Sequence, residues 1–161
     1  VILIIATSVQ IGLRMHSAAK TAAATNYEMA VENADAAALA AIGTQGTGAS
    51  ADLALFQAYM IDKDAAKIEQ LAEKGHSRDF RDLARLHVVG IRGDKMTARE
   101  LEKYLAPLNT KSSPYYYMGA LTVAQKYLAE GDKTTANKWL DKIINDKNAP
   151  AAISASATAL R

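Results

Sequence analysis

Residues 120–150 read ALTVAQKYLAEGDKTTANKWLDKIINDKNAP, and this stretch carries the strongest structural signal in the chain. Two runs of helix-forming residues flank Gly131 and Asp132. Glycine readily takes the left-handed conformation that ends a helix, and an aspartate after it can cap the next helix. Ala124 and Ala136 are small where two antiparallel helices would approach most closely. The stretch therefore predicts a tight helical hairpin.

The spacing of residues within this hairpin matches a tetratricopeptide repeat (TPR), a helical hairpin of about 34 residues that stacks on its neighbours. The matching residues, in chain order, are Ala120, Val123, Ala124, Tyr127, Gly131, Ala136, Leu140 and Ile143. Alanines equivalent to Ala124 recur at Ala54 and Ala84, at irregular intervals. The sequence thus predicts an all-α fold: a TPR-like α-solenoid of three antiparallel helix pairs with flanking helices, preceded by a long N-terminal helix.

The N-terminal segment differs from the repeats that follow it. We expect residues 1–32 to form one long helix and residues 33–161 to form the TPR-like repeat domain. The first 13 residues are apolar or uncharged up to Arg14, whereas a membrane-spanning helix needs about 20 mostly apolar residues. They fit the remnant of a membrane anchor followed by a stalk. A soluble packing helix and the remnant of a secretory signal are the alternatives.

Local signals predict where several helices begin and where the chain loops. Thr97 and Glu100 have the spacing of a capping box. Ser113 and Pro114 have the serine cap and following proline of a helix start. The glycines and small polar residues of Gly43–Ser50 predict a loop between two helices.

Composition and motifs argue against catalysis. The net charge is +2, from 19 basic and 17 acidic residues, which does not favour nucleic-acid binding. Cysteine is absent, and the three histidines lack the spacing of metal ligands. Gly43–Gly48 lacks the lysine of a phosphate-binding loop, and Asp62-Lys63-Asp64 is better interpreted as a helix cap than as a metal site. We expect no enzyme activity, no cofactor and no metal.

A basic stripe and a tyrosine are the candidate partner-binding residues. Arg78, Arg81 and Arg85 recur at helical spacing, and Arg92 extends the stripe. The alternative is a solvated face laced with ion pairs, in which Arg78 and Asp82 form an i,i+4 pair. Tyr115 shares a helix face with Gly119, Thr122 and Lys126, an outward or groove-lining set, whereas Tyr116 and Trp139 are expected in the core.

Several segments together resemble one family. They are residues 77–86 (SRDFRDLARL), Pro107-Leu108, Pro114, Gly131-Asp132 and Ala149-Pro150, with Thr47-Gly48, Leu53, Ala54, Phe56 and Tyr27 also fitting. Their order and spacing are similar to those of the TPR-like ancillary SecYEG translocon subunit, a bacterial inner-membrane protein, in its alphaproteobacterial form. The resemblance implies a single-pass anchor that includes residues 1–13 and a repeat domain in the periplasm. It also implies partners among translocon subunits, periplasmic chaperones or unfolded clients, and it supplies no catalytic residues.

Two hypotheses of function follow from the sequence. The first is a membrane-anchored, periplasm-facing scaffold for protein–protein interaction. The second is a self-associating structural or assembly factor of the cell envelope or division machinery. Self-association could use a seam on the first helix, formed by Ile4, Ser8, Ile11, Met15, Ala18, Ala22, Thr25 and Met29.

Overall fold

A computed structural model of the chain describes residues 22–161, and this part is all-helical. The helices are α1 (residues 22–32), α2 (Ala36–Gln45), α3 (Gly48–Asp62), α4 (Ala65–Lys74), α5 (Arg78–Arg92), α6 (Ala98–Tyr104), α7 (Tyr116–Ala129), α8 (Lys133–Ile144) and α9 (Ala151–Leu160). Short 3-10 turns cover Gly93–Lys95 and Ala106–Leu108. The described residues divide into two compact units, residues 22–63 and Asp64–Arg161. The all-α prediction is confirmed.

In the first unit, small residues bring the helices together. The carboxylate of Asp35 caps α2 by accepting from the N–H of Ala38 at 2.9 Å. Helix α3 then packs against α2, with Ala54 and Ala58 fully buried in a cluster around Leu39. Because alanine has only a methyl group, this unit has a thin core.

The predicted loop over Gly43–Ser50 is wrong at most of its positions. Helix α2 continues to Gln45 and α3 begins at Gly48, so residues 46–47 alone separate them. Gly43 is buried inside α2, and a Cβ there would lie 2.7 Å from Leu55 Cβ and 2.8 Å from the Leu55 nitrogen. The glycine serves the close approach of two helices rather than a flexible connection.

Helices α4 and α5 form the first hairpin of the second unit. The carboxylate of Asp64 accepts from the N–H of Ala66 at 3.0 Å, so Asp64 caps α4 as predicted. The two helices pack on each other, and the core of the hairpin includes Ile68 and Leu71 from α4 and Ala84 and Val88 from α5.

The hairpin of α7 and α8 matches its sequence prediction closely. Gly131 adopts a φ of 86°, and the Asp132 carboxylate accepts from the N–H of Thr135 at 2.9 Å. The buried residues of this hairpin include Tyr116, Ala120, Val123, Ala124, Ala136, Trp139, Leu140 and Ile143. Tyr127 is partly buried beside them. Helix α9 packs on both helices and completes the core with Ala157.

The sequence predicted the pairs α3 with α4, α5 with α6 and α7 with α8, and a start of α7 at Pro114; the structure differs in the pairing and in that start. In the first unit α3 pairs with α2, and in the second unit α5 pairs with α4 rather than with α6. Helix α7 begins at Tyr116 rather than at Pro114, and the Ser113 hydroxyl donates to the buried carboxylate of Asp82.

The N-terminal predictions fall mainly outside the described residues. Residues 1–13, on which the anchor depends, and most of the first-helix seam are not described. Across residues 22–161, none of the helices has the combined length and apolar character needed to cross a membrane.

Candidate functional site

The arginine stripe on α5 begins with a clamp on a neighbouring loop. The Arg78 guanidinium donates to Thr110 Oγ1 at 2.6 Å, to Ser112 Oγ at 2.9 Å and to the Pro107 carbonyl at 3.3 Å. Three acceptors from one loop use most of the donors of one guanidinium. Arg78 therefore ties the connection between α6 and α7 to the start of α5.

Arg81 closes the turn between α4 and α5. Its guanidinium donates to the carbonyls of Gly75 at 2.6 Å and His76 at 3.0 Å. Carbonyls at the end of a helix lack partners within the helix, so a nearby arginine satisfies them. The main role of Arg81 within the described chain is to stabilise this turn.

Asp82 lies at the centre of the stripe and is completely buried. Its carboxylate accepts from the Ser113 hydroxyl at 2.8 Å and forms an ion pair with Arg85 at 3.3 Å, and Arg78 Nε lies 3.7 Å away. A buried carboxylate is tolerated only with such partners. The predicted Arg78–Asp82 pair is present, whereas the burial of Asp82 has no counterpart in the sequence pattern.

Tyr115 lies at the edge of the core rather than fully outward. Its ring packs against the cluster that includes Leu108 and Val123, and its N–H donates to Ser113 Oγ at 3.3 Å. Burial raises the pKa of its hydroxyl, and the carboxylates of Asp79 and Asp82 add to the rise. Tyr115 is half-buried, so only part of its surface is open to a partner.

A groove of about 600 Å³ opens between α4, α5 and α6. Ligand sites commonly have volumes of about 300–1,000 Å³. Its lining residues are Ala72, Glu73, Arg85, Lys95, Met96, Glu100, Lys103, Tyr104 and Pro107. Of the predicted partner-binding residues, only Arg85 belongs to this set, so the groove and the remaining predicted residues do not coincide.

Tyr104 is held in the groove by a short chain of contacts. The Arg92 guanidinium lies over its ring at 5.8 Å, and Arg92 in turn pairs with Glu69 at 2.9 Å. Cation–π contact of this kind fixes an aromatic ring without covering its outer face. Burial raises the pKa of the Tyr104 hydroxyl, while the charges of Arg92 and Arg85 partly oppose the rise.

The helix that presents Tyr104 is anchored at its start. Thr97 and Glu100 form the predicted capping box, with the Thr97 N–H donating to Glu100 Oε2 at 2.8 Å. Glu130, at the end of α7, accepts from the Ala98 N–H at 2.7 Å. These bonds satisfy donors that a helix start leaves open.

A second tie holds α6 to α7. The Tyr127 hydroxyl donates to Glu102, and this bond, with burial, raises the pKa of Tyr127 to about 12. Helix α6 is therefore a firm wall of the groove. The spacing of Met96, Glu100, Lys103 and Tyr104 could have indicated this shared face from the sequence, but the groove itself depends on α4 and α5 as well.

A second, more polar cavity lies at the end of α8. It has a volume of about 520 Å³, and Lys111 there pairs with Asp146 at 2.7 Å. The Lys111 ammonium and the Asn148 N–H lower the pKa of Asp146 to about 2. Asp146 engages Lys111, and two further lysines, Lys142 and Lys147, also line the cavity.

Within residues 22–161, no group of three histidine, aspartate or glutamate side chains is arranged to hold a metal ion. Comparison with protein-family models, with curated proteins and with solved structures finds no match to this chain.

Proposed function

We propose that this protein is a non-catalytic scaffold that binds segments of other proteins in the groove of its second unit. The observation that carries the proposal is the groove itself, whose floor exposes Met96 and Tyr104 and whose rim carries charges of both signs. Tyrosine and arginine dominate protein-binding hot spots, and both types line this groove. Rigid walls favour binding because little freedom is lost on association.

The finer architecture belongs to the same proposal. The hairpin of α7 and α8, with its left-handed Gly131 and buried Ala124 and Ala136, supports a TPR-like packing of the second unit. Stacked helical hairpins offer a curved surface for extended partners. We propose that the second unit is a short TPR-like solenoid on this ground.

The cellular setting is proposed from the family resemblance alone. On this proposal, the protein crosses the inner membrane once and its repeat domain lies in the periplasm. Its partners are translocon subunits, periplasmic chaperones or unfolded clients, and it binds no nucleic acid. The membrane contact would be made by a segment that includes residues 1–13.

A specific feature favours self-association as the second candidate function. The first unit exposes Met29, Val31, Met60 and Ile61, each to 40% or more. Val31, Met60 and Ile61 also line a small groove of about 230 Å³. Apolar side chains grouped in this way are typical of surfaces that another molecule covers.

Site-specific photocrosslinking in the cells that naturally produce this protein distinguishes the scaffold function from self-association. A photoreactive amino acid replaces Lys103, on the rim of the groove, and in a matched variant replaces Lys138, an exposed lysine of α8. The scaffold function predicts adducts with translocon or chaperone polypeptides from position 103 and far fewer from position 138. Adducts that contain only a second copy of this chain would favour the assembly function.

A further inference from the structure

The small groove of the first unit includes a residue in a strained conformation. Its lining residues are Val31, Ala34, Leu39, Gln57, Met60 and Ile61. Ala34 adopts a φ of 48°, a left-handed conformation that favours glycine. Ala34 is also exposed, so the core of the unit does not account for its methyl group. Strained residues of this kind cluster where a ligand binds.

One polar side chain, Gln57, lines the groove among apolar ones. The Tyr27 hydroxyl donates to Gln57 Oε1 at 2.6 Å, which holds the amide in place. The amide nitrogen of Gln57 is not engaged by any of residues 22–161. An apolar site with one oriented polar group suits a segment that brings an apolar side chain and a backbone carbonyl.

The surroundings of this groove are strongly acidic. The described part of the first unit has five carboxylates, four of them exposed, and one lysine, a net charge of −4, whereas the whole chain is at +2. Glu32 directly follows Val31 on α1, and Glu28 lies one helical turn before it. On α3, Asp62 directly follows Ile61. The six lining residues themselves are uncharged, so the negative charge borders an apolar centre.

The lysine of this region does not neutralise the carboxylates. The Lys63 ammonium lies 3.7 Å from the Met60 sulfur and 5.5 Å from the centre of the Tyr59 ring. Among residues 22–161, Glu28 and Glu32 form no ion pair. Both carboxylates are therefore available to cations from another molecule.

The negative charge distinguishes between the molecules that could cover this face. In a symmetric dimer the same face of two copies would meet, and like charges across an interface are unfavourable. An anionic lipid surface would be repelled for the same reason. A polypeptide segment with lysine or arginine beside an apolar residue complements both the charge and the apolar centre.

We propose that this acidic face of the first unit binds a polypeptide segment in which an apolar or aromatic residue is flanked by lysine or arginine. The inference goes beyond the proposed function, because it assigns a second docking surface in a different unit of the chain. The apolar residue packs against Met60 and Ile61, and the Gln57 amide donates to a backbone carbonyl of the segment. The flanking cations pair with Glu28 and Glu32.

Methionine-methyl NMR of the full chain tests the proposal. Met60 lines the acidic face, whereas Met118 is exposed on α7 in the second unit. The probe is the peptide Lys-Arg-Leu-Phe-Arg-Lys, compared with a version that has glutamate at every basic position. A third version carries serine in place of Leu-Phe. The basic apolar peptide should shift the Met60 signal in a saturable way, leave Met118 in place and bind more tightly than either comparison peptide.

A charge-reversal variant gives the second arm. Glu28→Lys/Glu32→Lys should weaken binding of the basic peptide roughly tenfold or more, since two favourable exposed charge pairs become repulsive. It should also shift the preference toward the glutamate peptide. Asp79→Lys/Asp94→Lys makes the same change in net charge on exposed carboxylates of the second unit and should bind like the wild type.

Ala34→Gly separates a role in binding from a role in the fold. Glycine takes the left-handed conformation without steric strain, so the melting temperature should rise. Binding of the basic peptide should nevertheless weaken roughly threefold, because a methyl group that the ligand covers is lost. A variant that is more stable and binds as tightly as the wild type would overturn the role of the Ala34 methyl group.

Three further results would overturn the proposal. If the glutamate peptide shifts Met60 as strongly as the basic one, charge does not select the partner. If no peptide moves Met60 at millimolar concentration, the face does not bind such segments. A Met60 signal that moves with protein concentration alone would assign the face to a second copy of the chain.

Discussion

The two compact units hold their helices together by different means. In residues 22–63, alanines and a buried glycine allow a close approach of the helices, and few large side chains are enclosed. In residues 64–161, Trp139, Leu140 and Ile143 fill a larger core, and side chains such as Asp82 and Glu130 bridge separate elements. The first unit is therefore stabilised by close packing of small residues. The second is stabilised by packing of larger side chains together with hydrogen bonds and ion pairs between its elements.

The two units also differ in the number of large apolar side chains that they expose. Five of the eight exposed large apolar side chains of residues 22–161 belong to the first unit, although it is the smaller one. They are Met29, Val31, Leu53, Met60 and Ile61. A thin core leaves few places for large side chains inside. Among the described residues, the first unit therefore leaves more large apolar side chains in contact with solvent than the second.

The largest effect is expected from Asp82→Ala in the second unit. Removing one member of a buried, hydrogen-bonded charge network typically costs about 3–5 kcal/mol, because the remaining charges lose their partner. Thermal unfolding and hydrogen exchange of α5 and α7 measure the loss. Asp79→Ala, on the exposed side of the same helix, should cost far less. Equal destabilisation by both variants would show that the buried Asp82 carboxylate stabilises the second unit no more than the exposed Asp79 carboxylate does.

Ala136→Leu is expected to have the next largest effect. Ala136 is fully buried between α7 and α8, and overpacking of such a site typically costs about 1–3 kcal/mol. The melting temperature should fall clearly below that of Ala152→Leu, a substitution at an exposed position of α9. A variant that melts with the wild type would contradict the close packing of this hairpin.

Gly43→Ala tests whether the close approach of α2 and α3 stabilises the first unit. The added Cβ would meet Leu55 at 2.7–2.8 Å, so the helices must separate, at a cost of about 1–3 kcal/mol. That cost is partly offset by the better helix propensity of alanine, about 0.5–1 kcal/mol. Hydrogen exchange in α2 and α3 should quicken.

The matched control for Gly43→Ala is Gly90→Ala. Gly90 lies within α5, and a Cβ there would meet nothing within 4 Å. This substitution should stabilise the protein by about 0.5–1 kcal/mol. If Gly43→Ala is stabilising as well, the first unit is not held by close approach at that glycine.

The smallest effect is expected from the ion pair at the end of α8. The pKa of Asp146 is about 2, below the value of about 3.9 in an unfolded chain. A lowered pKa stabilises the fold above the unfolded value, and the contribution is lost as pH falls toward 2. Lys111→Met should therefore lower the melting temperature slightly at pH 7 and leave it unchanged near pH 2. A difference that grows on acidification would contradict the assignment.

Sequence reasoning succeeded where the signals are local. The Gly131–Asp132 break, the capping box of Thr97 and Glu100 and the buried alanines of α7 and α8 all depend on neighbours in the chain. Each of them was predicted and is present. Such features require no knowledge of how distant segments meet.

The features that sequence reasoning missed depend on contacts between distant segments. Gly43 begins a stretch whose composition is typical of a flexible loop. Only its close approach to Leu55 shows that it is a packing residue. Ser113 has the pattern of a cap, yet its hydroxyl serves Asp82, 31 positions away. The groove joins α4, α5 and α6, so no single helix pattern could reveal it.

The clamp of Arg78 has a consequence for susceptibility to proteases. Lys111 lies in the connection between α6 and α7, and its side chain is 71% exposed, so it offers trypsin an accessible cleavage residue. A protease must draw the backbone around that residue into its active site, and the bonds from Arg78 to Pro107, Thr110 and Ser112 oppose this. Nicking and tolerated insertions concentrate at loops whose backbone is free. This connection is therefore a poor site for either, despite its length and exposure.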